Sequence, residues 1–296
     1  MGFDLIITAR DTTEHIDNFV KHLRLQEFTG EMRVLFADQC TSWKDPLSNS
    51  VTRDRNVRIE ALSIDRSSLS HARNVAISLG LRNDIVAFPD DDCWYDKQLL
   101  ASVATAFAKD PSMDVLCTNV FDPICRKSYG NRPLRPKEIR VRSYNVFSLP
   151  ISVGIFVRRD AFEEVGPWFD EQLGAGTAFG SGEETELIAR LLISGKKVVY
   201  RGDISVFHLV PSYGASDVAK YKSYGLGFGY LATRLLMSGQ YGVAWEIACV
   251  LVKSLAGYLL YWRKPTTKRV YLSRISGVIG GILHAVRNKR SHASCK

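Results

Sequence analysis

An alternation of segment types constrains this chain more than any other feature. Over the first 210 residues, short apolar runs of strand length take turns with segments whose apolar residues recur at helical spacing. Residues 3–9 read as a buried strand, and residues 14–25 as a helix with Ile16, Phe19, Val20 and Leu23 on one face. Met32–Ala37 and Val57–Ile64 read as strands, Ser70–Leu81 as a helix, Asp84–Pro89 as a strand, Lys97–Ala108 as a helix and Asp114–Thr118 as a strand. Ile151–Val157 resumes as a strand and Glu183–Ser194 as a helix. Such alternation builds βαβ units, so the expected class is α/β: a doubly wound, mostly parallel sheet with helices on both faces. Residues 122–150 interrupt the pattern, with Pro123, Pro133, Pro136 and Pro150 set among Arg and Lys. A long loop is expected there, of the kind that often acts as a lid.

Hydrophobic residues make up 46% of the chain and charged residues 24%, which supplies a core and excludes a disordered protein. Cys40, Cys93, Cys117, Cys125, Cys249 and Cys295 form no CxxC pair and are spread along the chain. That speaks against a zinc ribbon or a disulfide framework and fits a reducing compartment. The N-terminus runs directly into Phe3–Ile7 with no basic stretch ahead of a long apolar one, so no signal peptide is expected. Charge is unevenly distributed. Residues 218–296 hold thirteen Lys and Arg against one acid, Glu246, a balance of +12 that leaves −4 in residues 1–217. A mildly acidic body with a basic tail points to a surface that meets anions.

Open α/β sheets bind ligands beyond the carboxyl ends of their strands. The residues there are Arg10 and Asp11, Asp38, Asp65 and Arg66, and Asp90–Asp92. The run Ile85–Asp92 ends a buried strand in three consecutive carboxylates, an unfavourable crowding of like charge unless a cation sits among them. Mn²⁺ or Mg²⁺ would satisfy it, since hard cations take oxygen ligands and bridge to phosphates. Solvated turn and N-cap residues ahead of the next helix are the plainer alternative.

Further along, Gly182-Glu183-Glu184 opens a helix on which Glu184 shares a face with Ile188 and Leu191. A carboxylate so placed can act as a general base for a hydroxyl. It also fits an S-x-x-E capping box with Ser181, which needs no catalysis. His208 can be a metal ligand or a purely structural histidine. Arg73, near the start of a helix, can reach a phosphate or simply lie on the surface.

Taken in order, these segments resemble the family 2 glycosyltransferases, which have the GT-A fold, over roughly residues 3–210. The strand ending Thr8-Ala9-Arg10 matches the start of the family's nucleotide site, and Asp38 its nucleobase contact. Leu69-Ser70-His71-Ala72-Arg73-Asn74 is similar to the "LSxARN" segment. Phe88-Pro89-Asp90-Asp91-Asp92 is similar to the DxD motif. Val165–Glu171 resembles the segment lining the acceptor site, and Gly182-Glu183-Glu184 the "GED" motif that ends in the base. Two departures stand out. The second strand continues Ala37-Asp38-Gln39-Cys40-Thr41-Ser42 rather than in a DDGSxD-like run, and the usual ED is Glu183-Glu184.

The resemblance implies an inverting, metal-dependent transfer from a nucleotide sugar. It implies Thr8, Arg10, Asp38, Arg73, Asp90 and Asp91 at the donor, and Asp90, Asp92 and His208 at Mn²⁺ or Mg²⁺. It further implies Trp168 and Asp170 at the acceptor, and Glu184 as base with Glu183 its rival.

The catalytic domain is expected over residues 1–214 and a basic helical region over 215–296. Within the latter, Val243–Trp262 is long enough to cross a bilayer, but Glu246 and Lys253 make a simple span costly. Ile275–Val286 is a second apolar stretch, ending in Arg287-Asn288-Lys289-Arg290. With Trp245, Tyr258, Tyr261 and Trp262 as interfacial aromatics, the region reads as amphipathic helices lying on an anionic cytoplasmic membrane face. A helical subdomain packed on the body is the alternative. Its apolar content speaks against nucleic acid as a partner. Membrane and family together suggest a lipid-linked saccharide acceptor in polysaccharide assembly. The competing functions are a nucleotidyltransferase, weakened by the lack of a Gly-rich phosphate loop, and a catalytically silent membrane scaffold.

Overall fold

A computed structural model describes residues 1–10, 14–40, 56–129, 138–209 and 217–293. Asp11, Thr41, Ser42 and the middle of the proline-rich segment lie outside the described residues. Two compact units are present: residues 1–141, 149–168 and 190–210 form the first, and residues 142–148, 169–189 and 211–296 the second. Two short stretches from ahead of residue 214 thus group with the tail.

The first unit is built on a nine-stranded sheet. In chain order it contains β1 (Phe3–Ala9), α1 (Glu14–Arg24), β2 (Met32–Asp38), β3 (Val57–Ser63), α2 (Leu69–Ile77), β4 (Ile85–Ala87) and α3 (Leu99–Lys109). After these come β5 (Val115–Asp122), β6 (Lys127–Ser128), β7 (Glu138–Arg140), β8 (Ile155–Arg158) and α4 (Arg159–Glu164). Helix α5 (Glu183–Ile193) precedes β9 (Val198–Phe207). The sheet order is β3-β2-β1-β4-β8-β5-β9-β7, with β6 paired to β5.

Both faces of β1 are covered, so its sequence shows no polar alternation. Phe3, Leu5 and Ile7 pack with Ile16, Phe19 and Leu23 of α1 and Phe107 of α3, while Ile6 is equally buried on the other face. β3, at the sheet edge, alternates partly buried and exposed residues. Two charged groups are interior to β1 and β2. Arg33 donates to both oxygens of Glu60, at 3.0 and 2.6 Å, and to the Gly80 carbonyl. Asp4 accepts from the backbone N–H groups of Arg82 and Asn83. Both tie the connection ahead of β4 to the sheet, away from the strands' carboxyl ends.

The pairings β1–β2, β1–β4, β2–β3 and β5–β9 are parallel, as the alternation implies. β8 is antiparallel to both β4 and β5. Segment 122–150 also departs from a plain loop. β5 runs on past a register shift at Thr118/Asn119 to Asp122 and turns into β6, and β7 adds an antiparallel edge to β9. Backbone groups in this segment therefore find partners in the ladder, which outweighs the local proline signal.

The second unit contains three long helices, α6 (Asp217–Met237), α7 (Val243–Leu260) and α8 (Pro265–Ala293). α6 and α8 meet through glycine. A Cβ on Gly229 would lie 2.2 Å from the Val278 carbonyl oxygen, one on Gly277 2.2 Å from that of Lys222, and one on Gly281 2.3 Å from that of Leu226. The four-residue spacing of Gly225 and Gly229, and of Gly277 and Gly281, keeps these positions on the contact face of each helix. α7 buries Val243, Glu246, Ser254 and Gly257. Glu246 therefore points into the unit, where its Oε2 accepts from the Phe147 N–H at 2.7 Å. Among the described residues α7 is the one helix long and apolar enough to cross a membrane by length and composition. Its outward face exposes Trp245, Val252, Leu255 and Leu259.

Candidate functional site

Five elements bring the first unit's candidate residues to one edge of the sheet. β1 and β2 end in register, Ala9 opposite Asp38, so Thr8 and Asp38 come to the same edge. Thr8 is half-buried and Arg10 exposed just beyond the strand. Asp38 is buried, and its Oδ1 accepts from the Cys40 N–H at 2.8 Å, closing a turn on its own backbone. β4 joins β1 on its other side and leads into Asp90–Asp92.

α2 begins where Ser68 caps it, its side chain accepting from the His71 N–H. Its inward face carries Ser70, Ala72, Arg73, Ala76 and Ile77. Arg73 is thus buried at 1% exposure rather than lying on the surface. Its Nη2 donates to Asp90 Oδ1 at 3.0 Å and to Ser152 Oγ at 2.8 Å. Ser152 sits in a short 3₁₀ turn, Ser152–Gly154, ahead of β8. Nothing in the local sequence marks Ser152; only the antiparallel course of β8 brings it here.

His208 arrives from β9. A two-residue antiparallel bridge joins Trp94 and Phe207, each N–H donating to the other's carbonyl, at 2.9 and 3.0 Å. One residue on, His208 Nε2 lies 3.1 Å from Asp92 Oδ1, while Nδ1 lies 2.7 Å from the Leu209 carbonyl oxygen. Tyr129 stands edge-on to the imidazole. Ligand atoms of Asp90, Asp92 and His208 all lie within 4.8 Å of one another. This is a compact set of two oxygens and one nitrogen, a donor set that fits a divalent cation such as Mn²⁺.

Charge crowding perturbs these groups. Burial, with Asp92 and Asp90 beside it, pushes the Asp91 carboxyl up to about 6. The hydrogen bond from His208 holds Asp92 below the usual carboxylate range despite burial. For His208, burial works against protonation, but the Asp92 and Asp90 carboxylates outweigh it and the imidazole is raised. Asp91 makes no part of the three-residue cluster.

The remaining predicted residues lie elsewhere. Trp168 is half-buried at the end of a segment whose Val165, Pro167 and Trp168 carbonyls all accept from the Arg190 guanidinium. Asp170 belongs to the second unit, where its Oδ2 lies 3.1 Å from Arg234 Nη1 and its Oδ1 accepts from the Gln172 N–H. Glu183 and Glu184 belong there too. The two acids differ: Glu183 is buried and engaged, whereas Glu184 Oε2 is buried with no hydrogen-bond partner among the described residues. Nor do Ser181 and Glu184 form a reciprocal cap. The Ser181 N–H bonds to the Phe179 carbonyl and its hydroxyl to the Tyr224 carbonyl.

Comparison with known proteins adds to this geometry. The model of the family described as "Glycosyl transferase family 2" matches residues 4–166. No curated protein sequence matches the chain at a significant level. Among solved structures, S. aureus TarS 1–349 in complex with UDP-GlcNAc is similar at a TM-score of 0.58 and 16% identity, over 93% of this chain and 91% of that one. The mannosyltransferase PcManGT from Pyrobaculum calidifontis, in complex with GDP-Man and Mn²⁺, reaches a TM-score of 0.60 at 14% identity, over 95% and 86%. Against the longer S. aureus TarS chain the TM-score is 0.55 at 19% identity, and 77% of this chain spans only 39% of that one. Likeness at these identities speaks to the fold.

Proposed function

The chain belongs to glycosyl transferase family 2, and from that premise we propose that it moves a sugar from a nucleoside-diphosphate sugar to a hydroxyl of a lipid-linked saccharide, with inversion at the anomeric carbon. The observation that carries this is the convergence of Asp90, Asp92 and His208 beyond the carboxyl end of β4, with Arg73 on Asp90. A cation held by those three residues supplies charge neutralisation for the departing diphosphate. Arg73 keeps Asp90 in place, and Thr8, Arg10, Asp38 and Asp91 hold the nucleotide part of the donor. Glu184 takes the proton from the acceptor hydroxyl. The hydroxyl's oxygen then bonds to the anomeric carbon while Glu184 keeps the proton, the bond from that carbon to the diphosphate oxygen breaks, and the electron pair leaves with the nucleoside diphosphate. Support for Glu184 over Glu183 comes from its buried, unpartnered Oε2. Trp168 and Asp170 serve the acceptor.

Support for a lipid carrier of the acceptor comes from the second unit. α7 exposes Trp245 at 66%, Val252 at 66% and Leu259 at 61%. Lys253, Arg263, Lys264, Lys268 and Arg269 lie exposed or half-exposed among or just beyond them. An apolar face with basic residues at its margins suits an anionic leaflet, here the cytoplasmic face of the membrane. The inward bond of Glu246 to Phe147 favours a helix lying on the surface over one crossing it. Flotation with liposomes of zwitterionic and of anionic lipid tests this: binding confined to anionic vesicles and reduced by Trp245→Ser with Leu259→Ser supports it, and equal flotation of both proteins refutes it.

The function itself is tested by thermal shift with UDP, GDP, dTDP, CDP and ADP, each with Mn²⁺ and with EDTA. Stabilisation by one nucleotide in the presence of Mn²⁺ alone is expected, since a ligand that binds only the folded state raises its melting temperature. Absence of any such response would remove the donor site and the reading with it.

A further inference from the structure

The second unit holds a cavity of about 380 Å³, of whose lining the proposed chemistry uses Asp170 alone. Asp170 and Gln172 line it from one side, Tyr230, Arg234 and Met237 from α6, and Ala285 and Asn288 from α8. All seven lie outside residues 4–166, the part matched by the family model.

Its walls are fixed. Tyr230 stacks on Phe179 with ring centroids 4.1 Å apart and planes 11° apart, and His284 meets both rings edge-on. The Arg234 guanidinium carbon stands 5.5 Å from the Tyr230 ring centre. Arg234 and Asp170 hold each other at 3.1 Å, yet 43% and 24% of their side chains remain exposed. Each therefore keeps hydrogen-bonding capacity for a third party. Around them are two amides, Gln172 and Asn288, and the tyrosine hydroxyl, 3.5 Å from Gln172 Oε1.

We propose that this cavity binds a neutral pyranose ring, a sugar unit of the acceptor, with Arg234, Gln172 and Asn288 as specificity-determining residues. The inference rests on the glycosyl-transfer reading above. Three physical points select the ligand. The volume lies in the lower range of small-molecule sites, on the order of 300–1,000 Å³, where a single ring fits. The charges of Arg234 and Asp170 cancel, so a phosphate gains little from a cation already neutralised. A sugar hydroxyl, by contrast, both donates and accepts, and so can satisfy Asp170 and Arg234 together.

The test uses the full chain with Mn²⁺, and titrates methyl α- and β-pyranosides of glucose, galactose, mannose and N-acetylglucosamine by ligand-observed NMR. At least one glycoside is expected to bind, with affinity at least tenfold lower in Arg234→Gln and lost in Ala285→Phe, which fills the cavity. Melting curves establish that each variant is folded, and Arg234→Gln, at a partly exposed position, carries the test if Ala285→Phe does not fold. A wild-type protein that responds to a nucleotide with Mn²⁺ but binds no glycoside, or binds one that Arg234→Gln leaves unaffected, overturns the cavity proposal and leaves the transfer reading intact. If the wild type responds to no nucleotide and hydrolyses no nucleotide sugar, the transfer reading falls and the proposal with it.

Discussion

His208 and Asp92 meet because the residues beside them are bonded through their backbones. Trp94 and Phe207 exchange two hydrogen bonds, and this holds His208 Nε2 at 3.1 Å from Asp92 Oδ1. The contact belongs to the sheet's hydrogen bonding and not to the side chains alone. Asp92→Asn keeps the shape but removes a charge from the cluster. Metals contribute several kcal/mol to such transition states, and each 1.36 kcal/mol is tenfold in rate, so transfer is expected to fall by about 100-fold or more. Turnover against Mn²⁺ concentration checks it; an unchanged metal requirement would remove Asp92 from the site.

Glu184→Gln keeps the volume of the side chain and abolishes its basicity. General-base catalysis contributes roughly 10²–10⁴-fold, so kcat should drop by that factor while nucleotide binding stays as it was. Glu183→Gln, at a buried and engaged acid, should instead lower the melting temperature. Were Glu183→Gln alone to abolish turnover in a folded protein, the base would be Glu183.

Arg33 is wholly buried and relies on Glu60. Glu60→Gln removes the nearer of two carboxylates and leaves the guanidinium with Asp4 at 3.7 Å, so it should cost less than the roughly 3–5 kcal/mol of a buried charge left unpaired, as read by urea unfolding at pH 7. The Arg33 hydrogen bonds hold the Glu60 carboxyl below its ordinary value against the opposing effect of burial. Its stabilisation is therefore present above the unfolded value and is lost as pH falls through the folded one. Wild type and variant should converge in stability on acidification into that range.

Gly229→Ala adds a methyl where the Val278 carbonyl is 2.2 Å away. Alanine gains about 1 kcal/mol in helix propensity over glycine, but overpacking costs about 1–3 kcal/mol, and here the obstacle is backbone that cannot rotate aside. Net destabilisation is expected. Gly239→Ala offers a contrast: no neighbour lies within 4 Å, and its cost arises from a φ of +89° alone.

The meeting of Thr8, Asp38 and Asp90 at one edge of the sheet was legible in the sequence because it follows from a rule of sheet topology. Thr8, Asp38 and Asp90 lie at strand ends that adjoin in space, and the apolar runs of β1, β2 and β4 locate those ends. Strand direction was not legible. A short buried run such as Ile155–Arg158 has the same pattern whether parallel or antiparallel, and Ser152 reaches Arg73 only because β8 is antiparallel. α6 was read only as part of a basic helical region, without bounds of its own. Gly225, Gly227 and Gly229 depress helix propensity; Gly225 and Gly229 answer to α8 and Gly227 to the backbone of Ser181, neighbours that one segment's sequence does not reveal. Glu246 read as a charge inside an apolar stretch; its partner, the Phe147 N–H, is remote in sequence.

The glycine seam between α6 and α8 has a mechanical consequence. Where glycines let two helices meet backbone to backbone, there are fewer rotamers at the contact to freeze or rearrange, so the crossing costs little side-chain entropy. It behaves as a weld, not a hinge. Tyr230 and Arg234 on one helix and Ala285 and Asn288 on the other are carried by the welded pair. Any opening or closing around a bound sugar would then fall to the chain bearing Asp170 and Gln172, which moves against a rigid jaw.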